Sequence, residues 1–342
     1  MRLASRPAAL RPGLTLAAAL ALLTFVRPAD AQRRDTGFDL AQLDVSPRTA
    51  ALAGAQGGLA GTDPTALFSN PAFLTAEMSR AAAVGYVNHL SDVSAGTALY
   101  ARSLPRFGID AAASIRYLSY GDFDRTDAGG TTDGTFGASE AAVTLTASRL
   151  VAPNVRIGAS GHALFATLDD ASAQALTADV GATAEVPSQR LVVGVSLNGV
   201  GAVLSSLGTA GDRLPLDLRV SVAKRLRYIP LTVTVTGYEL QSFSQPARVA
   251  GVPDSLAERD SAVELALDRV LVGGELQLGR ALTTRLGYSP RRGRALRGDG
   301  RLDLAGLSAG FGLALRRFAV DYAYTGWSDT GGIHQIGVRT RL

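Results

Sequence analysis

Gly306-Leu307-Ser308-Ala309-Gly310 has the G-x-S-x-G spacing that presents a serine nucleophile where a strand turns sharply into a helix. Here the chain runs on at period 2 through Phe311, Leu313 and Leu315, so Ser308 is expected on a strand and the elbow fails. Ser221-Val222-Ala223-Lys224 has the S-x-x-K spacing that pairs serine with lysine on one helix face. On a strand a separation of three sends the two side chains to opposite faces. Lys224 is the sole lysine among 34 basic residues, so no second lysine can complete such a site. Asp35-Thr36-Gly37 and Asp329-Thr330-Gly331 could supply two carboxylates sharing a proton, but one lies near the start of the chain and the other in an expected hairpin, where turn chemistry explains them. His89, His162 and His334 are too scattered for a metal site, and the absence of cysteine removes thiolate metal centres, disulfides and thiol nucleophiles. These motifs support no enzyme activity, cofactor or metal.

Two charged sets remain. Arg291, Arg292, Arg294, Arg297 and Arg301 form a basic stretch in an expected long loop, either simply solvated or docked on anionic lipopolysaccharide or an acidic partner. Asp110, Arg116, Glu140, Arg156, Asp179, Glu185, Asp217, Arg219, Glu275 and Arg285 mix both signs on the polar faces of expected strands. Inside a closed sheet, opposite charges of this kind brace a wall or an insert.

The elements that must carry these residues are strands. Phe107, Ile109, Ala111, Ala113, Ile115 and Tyr117 alternate with Asp110, Ser114 and Arg116, and Leu216, Leu218, Val220 and Val222 alternate with Asp217, Arg219 and Ser221. Similar stretches predict fourteen strands: 81–89, 93–103, 107–119, 135–150, 155–167, 176–186, 191–199, 214–226, 229–241, 270–278, 282–288, 305–315, 318–325 and 333–342. Most are about ten residues long, which is what a tilted membrane-crossing strand requires. Connections alternate between short (Leu104-Pro105-Arg106, Ala152-Pro153-Asn154, Gly279-Arg280) and long (Tyr120–Gly134, Gly201–Arg213, Ser242–Arg269, Ser289–Leu304). Tight turns on one rim and long loops on the other describe a closed antiparallel transmembrane β-barrel with periplasmic turns and extracellular loops. Tyr86, Tyr100, Tyr117, Tyr120, Phe318, Tyr322, Tyr324 and Trp327 are candidates for an interfacial girdle.

Residues 1–31 read as a Sec signal peptide, with Arg2, Arg6 and Arg11, an apolar Leu14–Val26 run and Ala29-Asp30-Ala31. Removing it takes four arginines and one aspartate from the 34 basic and 30 acidic residues, leaving a nearly neutral chain with no electrostatic case for nucleic-acid binding. Residues 32–79 do not alternate and are expected to form a luminal plug, with residues 80–342 as the barrel.

Asn70-Pro71-Ala72-Phe73-Leu74, preceded by the Arg48–Gly54 stretch, resembles the N-terminal signature of the FadL and PorV class of fourteen-stranded outer-membrane barrels. Tyr117-Leu118-Ser119-Tyr120-Gly121-Asp122-Phe123-Asp124-Arg125-Thr126-Asp127, then Gly134–Ser139, and the ending from Arg317 through His334 to Leu342 are similar to the PorQ family of the type IX secretion system. That resemblance implies a non-enzymatic integral protein of the bacterial outer membrane. It also implies work beside PorU, PorV and PorZ-like proteins in a cell-surface attachment complex for secreted cargo. The alternative is a FadL-like channel for hydrophobic solutes, against which the Thr, Ser, Arg and Asp of the expected inward faces weigh.

Overall fold

The computed structural model describes residues 37–55, 61–89, 92–126, 129–208, 214–242, 262–296, 304–328 and 331–342. The expected signal peptide, the first Asp-Thr-Gly aspartate and Arg297 and Arg301 lie outside them, as does Asp329. Fourteen strands close into one antiparallel barrel, each paired with its sequence neighbours and β1 with β14. They are β1 Ala81–Asn88, β2 Ser94–Leu104, β3 Ile109–Thr126, β4 Thr132–Ala152, β5 Val155–Leu168, β6 Ala171–Val186, β7 Leu191–Ser205, β8 Asp217–Arg225, β9 Leu231–Gly237, β10 Val270–Leu278, β11 Leu282–Tyr288, β12 Leu307–Ala314, β13 Phe318–Ser328 and β14 Gly331–Arg341. Three short helices accompany them: α1 Pro47–Ala51, α2 Ala262–Asp268 and α3 Pro290–Ala295.

The period-2 pattern becomes two faces of a wall. In β3, Asp110, Ala112, Ser114, Arg116 and Leu118 are buried towards the interior, whereas Ile115 and Tyr117 are exposed on the outside. Closure at Ala81↔Arg341 through Asn88↔His334 leaves no free sheet edge. Such a wall satisfies its own backbone and presents an apolar exterior, the condition for a sheet to stand in hydrocarbon. No helix among the described residues is long and apolar enough to cross a membrane.

The expected loop Tyr120–Gly134 is instead largely strand. β3 and β4 run out to Thr126 and Thr132, with Phe123 opposite Phe136 and their rings stacked 5.5 Å apart. Backbone pairing continues beyond the apolar stretch because cross-strand partners, not lipid, sustain it there. The expected girdle also needs correction at two positions. Tyr120 turns inward and donates to Glu140 at 2.6 Å, and Trp327 packs against the interior cluster that contains Phe38 and Ile333. Each follows the parity of its strand around a local irregularity, β3 between Ser119 and Asp122 and β13 between Gly326 and Ser328.

Candidate functional site

The interior of the barrel holds residues 38–55 and 61–78, whose short helical turns start where the sequence supplies caps. Ser46 caps α1 ahead of Pro47, Asp63 accepts from the Thr65 amide at 3.1 Å ahead of Pro64, and Asn70 accepts from the Ala72 amide at 2.8 Å ahead of Pro71. A side-chain acceptor followed by proline at the first helical position is a compact way to start a turn without a long helix.

Asn70-Pro71-Ala72-Phe73-Leu74 lies against β4, β5 and β6 and reaches β7. The Asn70 amide donates to Val195 O at 3.0 Å and Ala182 O at 3.4 Å, and Ser148 donates to Leu74 O. A Cβ on Gly181 would stand 2.0 Å from Asn70 Oδ1, so the absence of a side chain there makes room for the motif. Across the lumen α1 and the turn after it rest on the opposite wall, where a Cβ on Gly287 would come within 2.2 Å of the Leu52 carbonyl carbon.

On the α1 side of the lumen runs a closed ring of six charges. Arg48 of the plug makes a bidentate pair with Glu275 of β10, Nε to Oε2 and Nη2 to Oε1, both at 3.0 Å. Arg285 of β11 donates to Glu275 at 2.7 Å and to Asp321 of β13 at 2.7 Å. Arg339 of β14 joins Asp321 at 2.8 Å to Asp63 at 3.0 Å, and Asp63 faces Arg48 at 3.9 Å. Three arginines and three carboxylates neutralise one another, which is how a buried charge is kept from paying its desolvation cost alone. Burial raises the Asp63 carboxyl, but Arg339 and Arg48 outweigh it and hold it below its ordinary range. For Arg48 burial works against the charge, and Glu275 and Asp63 overcome it, raising its pKa.

A second brace holds the start of the plug. Glu140 accepts from the Asp39 and Leu40 amides at 3.0 and 2.8 Å, while Arg116 donates to Leu40 O at 3.1 Å. Arg156 pairs with Asp110 at 2.7 Å, and His162 sits between Thr144 and Asp179 at 2.8 and 2.9 Å. Arg219 pairs with Asp217. The expected luminal charges therefore serve bracing; Glu185 is the exception, exposed near the short-turn rim. Arg48, Asp63, Asp321 and Arg339 escaped the sequence reading. Arg48 and Asp63 lie outside any alternation, and the signal for Asp321 and Arg339 was their place on polar strand faces.

Arg291, Arg292 and Arg294, read from the sequence as a solvated or docking stretch, have partners within the protein. Arg291 is 8% exposed and pairs with Asp268 at 3.4 Å; Arg294 pairs with Asp268 and, at 3.7 Å, with Glu264. Arg292 donates to Ser308 Oγ at 3.3 Å and faces the lumen, where burial lowers its pKa. The three arginines tie α3 to α2 and to the wall, because buried Asp268 offers a carboxylate closer than any outside partner. Ser308, the would-be nucleophile, is a buried wall hydroxyl, and Ser221 is buried on the inner face while Lys224 stands at an alternate-face position.

Towards the short-turn rim, Leu67, Leu74 and Met78 pack against Ala83, Leu99 and Ala101 in an apolar cluster. Towards the long loops a cavity of about 250 Å³ remains, walled by Leu43, Phe68, Leu271 and Trp327 with Arg116 and Gln335. Arg116 Nε and Gln335 Oε1 are buried without a hydrogen-bond partner among the described residues. No cluster of metal-ligating side chains occurs among the described residues.

No protein-family model and no curated protein sequence matches the chain. Among solved structures it is similar to the Pseudomonas putida toluene transporter TodX, at 12% identity over 85% of this chain and 95% of that one, with a TM-score of 0.54. It is also similar to a Pseudomonas aeruginosa FadL homologue, at 13% identity over 87% of this chain and 98% of that one, with a TM-score of 0.48. At such identity the likeness to TodX establishes the barrel fold and nothing finer.

Proposed function

We propose that this protein is a non-enzymatic integral barrel of the bacterial outer membrane, working as a rigid, non-conducting anchor of a cell-surface attachment complex, in the manner of PorQ in type IX secretion. The observation that carries the non-conducting reading is the six-charge ring, which fixes Arg48 and Asp63 of the plug to β10, β11, β13 and β14, while Asn70 is held on the opposite wall. Removing such a plug requires separating buried ion pairs, so the barrel is built to stay closed. The location is supported by the closed wall and its apolar exterior. The choice of PorU, PorV and PorZ-like partners rests on the sequence resemblance alone.

A second reading, passage of hydrophobic solutes, has its own support. TodX is a toluene transporter, and the cavity at the plug has apolar side chains, among them Phe68, Leu271 and Trp327, interspersed with charged ones such as Asp44 and Arg219 in its wall. The inward threonines and serines, among them Thr144, Thr234, Thr236 and Ser196, oppose a greasy path along the wall.

Solute uptake and electrical conductance of the purified protein in bilayers separate the readings. The anchor reading expects neither in the intact protein and a rise in conductance on deleting residues 38–75. Rapid uptake of a small aromatic hydrocarbon by the intact barrel would transfer the assignment to the channel. Co-purification under mild detergent tests the partners; recovery of the barrel alone from cells that contain them would remove the attachment role.

A further inference from the structure

The rim of short turns is a collar of arginine. The β2–β3, β6–β7, β8–β9, β10–β11 and β12–β13 turns carry Arg106, Arg190, Arg227, Arg280 and the Arg316–Arg317 pair, all exposed, and exposed Arg149 flanks the β4–β5 turn. Arg80 and Arg341, exposed on adjoining strand ends, complete the circle where β1 meets β14. Glu77 and Glu185 are the exposed acids on this rim among the described residues. Among the described residues the opposite rim exposes Asp92, Asp122, Asp124, Asp133, Asp169 and Asp170, and its exposed Arg125 is paired with Asp169. Among the described residues, the exposed charges at the tips of the two rims therefore differ in sign.

We propose that this collar binds the phosphates of anionic phospholipids in the leaflet that surrounds the short turns. Three observations favour lipid over a protein partner. The cations encircle the rim, as a lipid annulus does, whereas a docked protein would need one sector. Arg102 and Arg149 lie on outward strand faces, in line with exposed Tyr100 and Val151, so their guanidinium groups stand at the edge of the apolar wall. The same turns expose bulky apolar side chains, Phe107, Ile229, Leu315 and the 89%-exposed Tyr228, with Arg227 stacked 5.7 Å over the Tyr228 ring. Arginine beside an amphipathic aromatic ring suits a headgroup region, where the ring enters the interface and the guanidinium fork meets phosphate.

The test uses the full-length protein in phosphatidylcholine bilayers, with spin-labelled phosphatidylglycerol and spin-labelled phosphatidylcholine as probes of the motionally restricted lipid shell. The expected result is a preference for phosphatidylglycerol, on the order of fivefold per occupied site at low salt, that collapses in concentrated salt. Replacing Arg102, Arg106, Arg149, Arg316 and Arg317 by glutamine should remove most of it, while Asp122→Asn, Asp124→Asn and Asp133→Asn together should leave it intact. Heat-modifiable gel migration checks that each variant is still a closed barrel, and the salt titration of the unaltered protein decides if one is not. Equal association of both lipids with the unaltered protein overturns the proposal. So does a preference that survives both salt and the glutamine variant, or binding of an acidic polypeptide without any lipid preference.

Discussion

Glu275 carries two guanidinium groups at once, Arg48 from the plug and Arg285 from the wall. Glu275→Ala leaves both without their shared carboxylate, and we expect a loss of about 3 kcal/mol, read as a lower urea midpoint. Asp44 and Asp63 give opposite pH responses. Burial lifts Asp44 from 3.8 to about 6, against the Ser46 amide, Arg219 and Arg292. The folded chain therefore binds that proton more tightly than the unfolded chain, so the resulting stabilisation is complete below about pH 4 and lost as the pH rises to about 6. Asp63 is held low, so its contribution is complete above 3.8 and disappears as the pH falls through the lower folded value. Asp44→Asn should flatten the decline of the unfolding midpoint between about pH 4 and 6. Asp63→Asn should instead lower the midpoint at neutral pH; an unchanged profile in both variants would show that neither carboxylate is enclosed as described.

At the scale of elements, the plug is a string of capped turns, each too short to be stable by itself. Its order comes from the walls, which yield space at Gly181 and Gly287 and supply charges from β10, β11, β13 and β14. Gly287→Ala puts a methyl group into the backbone of Leu52, so the plug must move while the outer wall keeps its pairing. Limited proteolysis should then cut within residues 38–78 of the variant and spare the unaltered protein, with heat-modifiable migration unchanged in both. Equal resistance of the two would mean that α1 does not rest on β11. The β3–β4 hairpin belongs to the other class of element. Eighteen and 21 residues exceed the nine to eleven a crossing needs, so its outer part projects beyond the membrane. It is a better candidate for partner contact than the α3 arginines, which are already engaged with Asp268.

At the scale of the whole molecule, a wall with an apolar exterior closes on a neutralised polar interior, and the two rims differ in charge. The plug should respond to salt less than the rims do, since buried pairs are poorly screened and exposed ones strongly so. Raising the salt concentration is expected to change lipid association while leaving the conductance of the intact barrel unchanged, as single-barrel current recordings would show. A pore that opens in salt would mean that the ring of charges is not what holds Arg48 and Asp63 of the plug in place.

The strands were legible because alternation at period 2 needs only local sequence, and β10 and β11 have the same ends in both readings. The inward charges could be read for the same reason, since parity places Glu140 and Arg285 on the polar face. What parity does not give is a partner. That Arg48 meets Glu275, 227 residues away, is a property of closure, as is the seat of Asn70 beneath Val195. Tertiary structure likewise makes Arg291 a buried partner of Asp268 and Arg292 a half-buried partner of Ser308. A sequence specifies which side chains need compensation, because that depends on the residue and its strand position; which groups compensate them depends on distances across the lumen, and those exist only once the cylinder has formed.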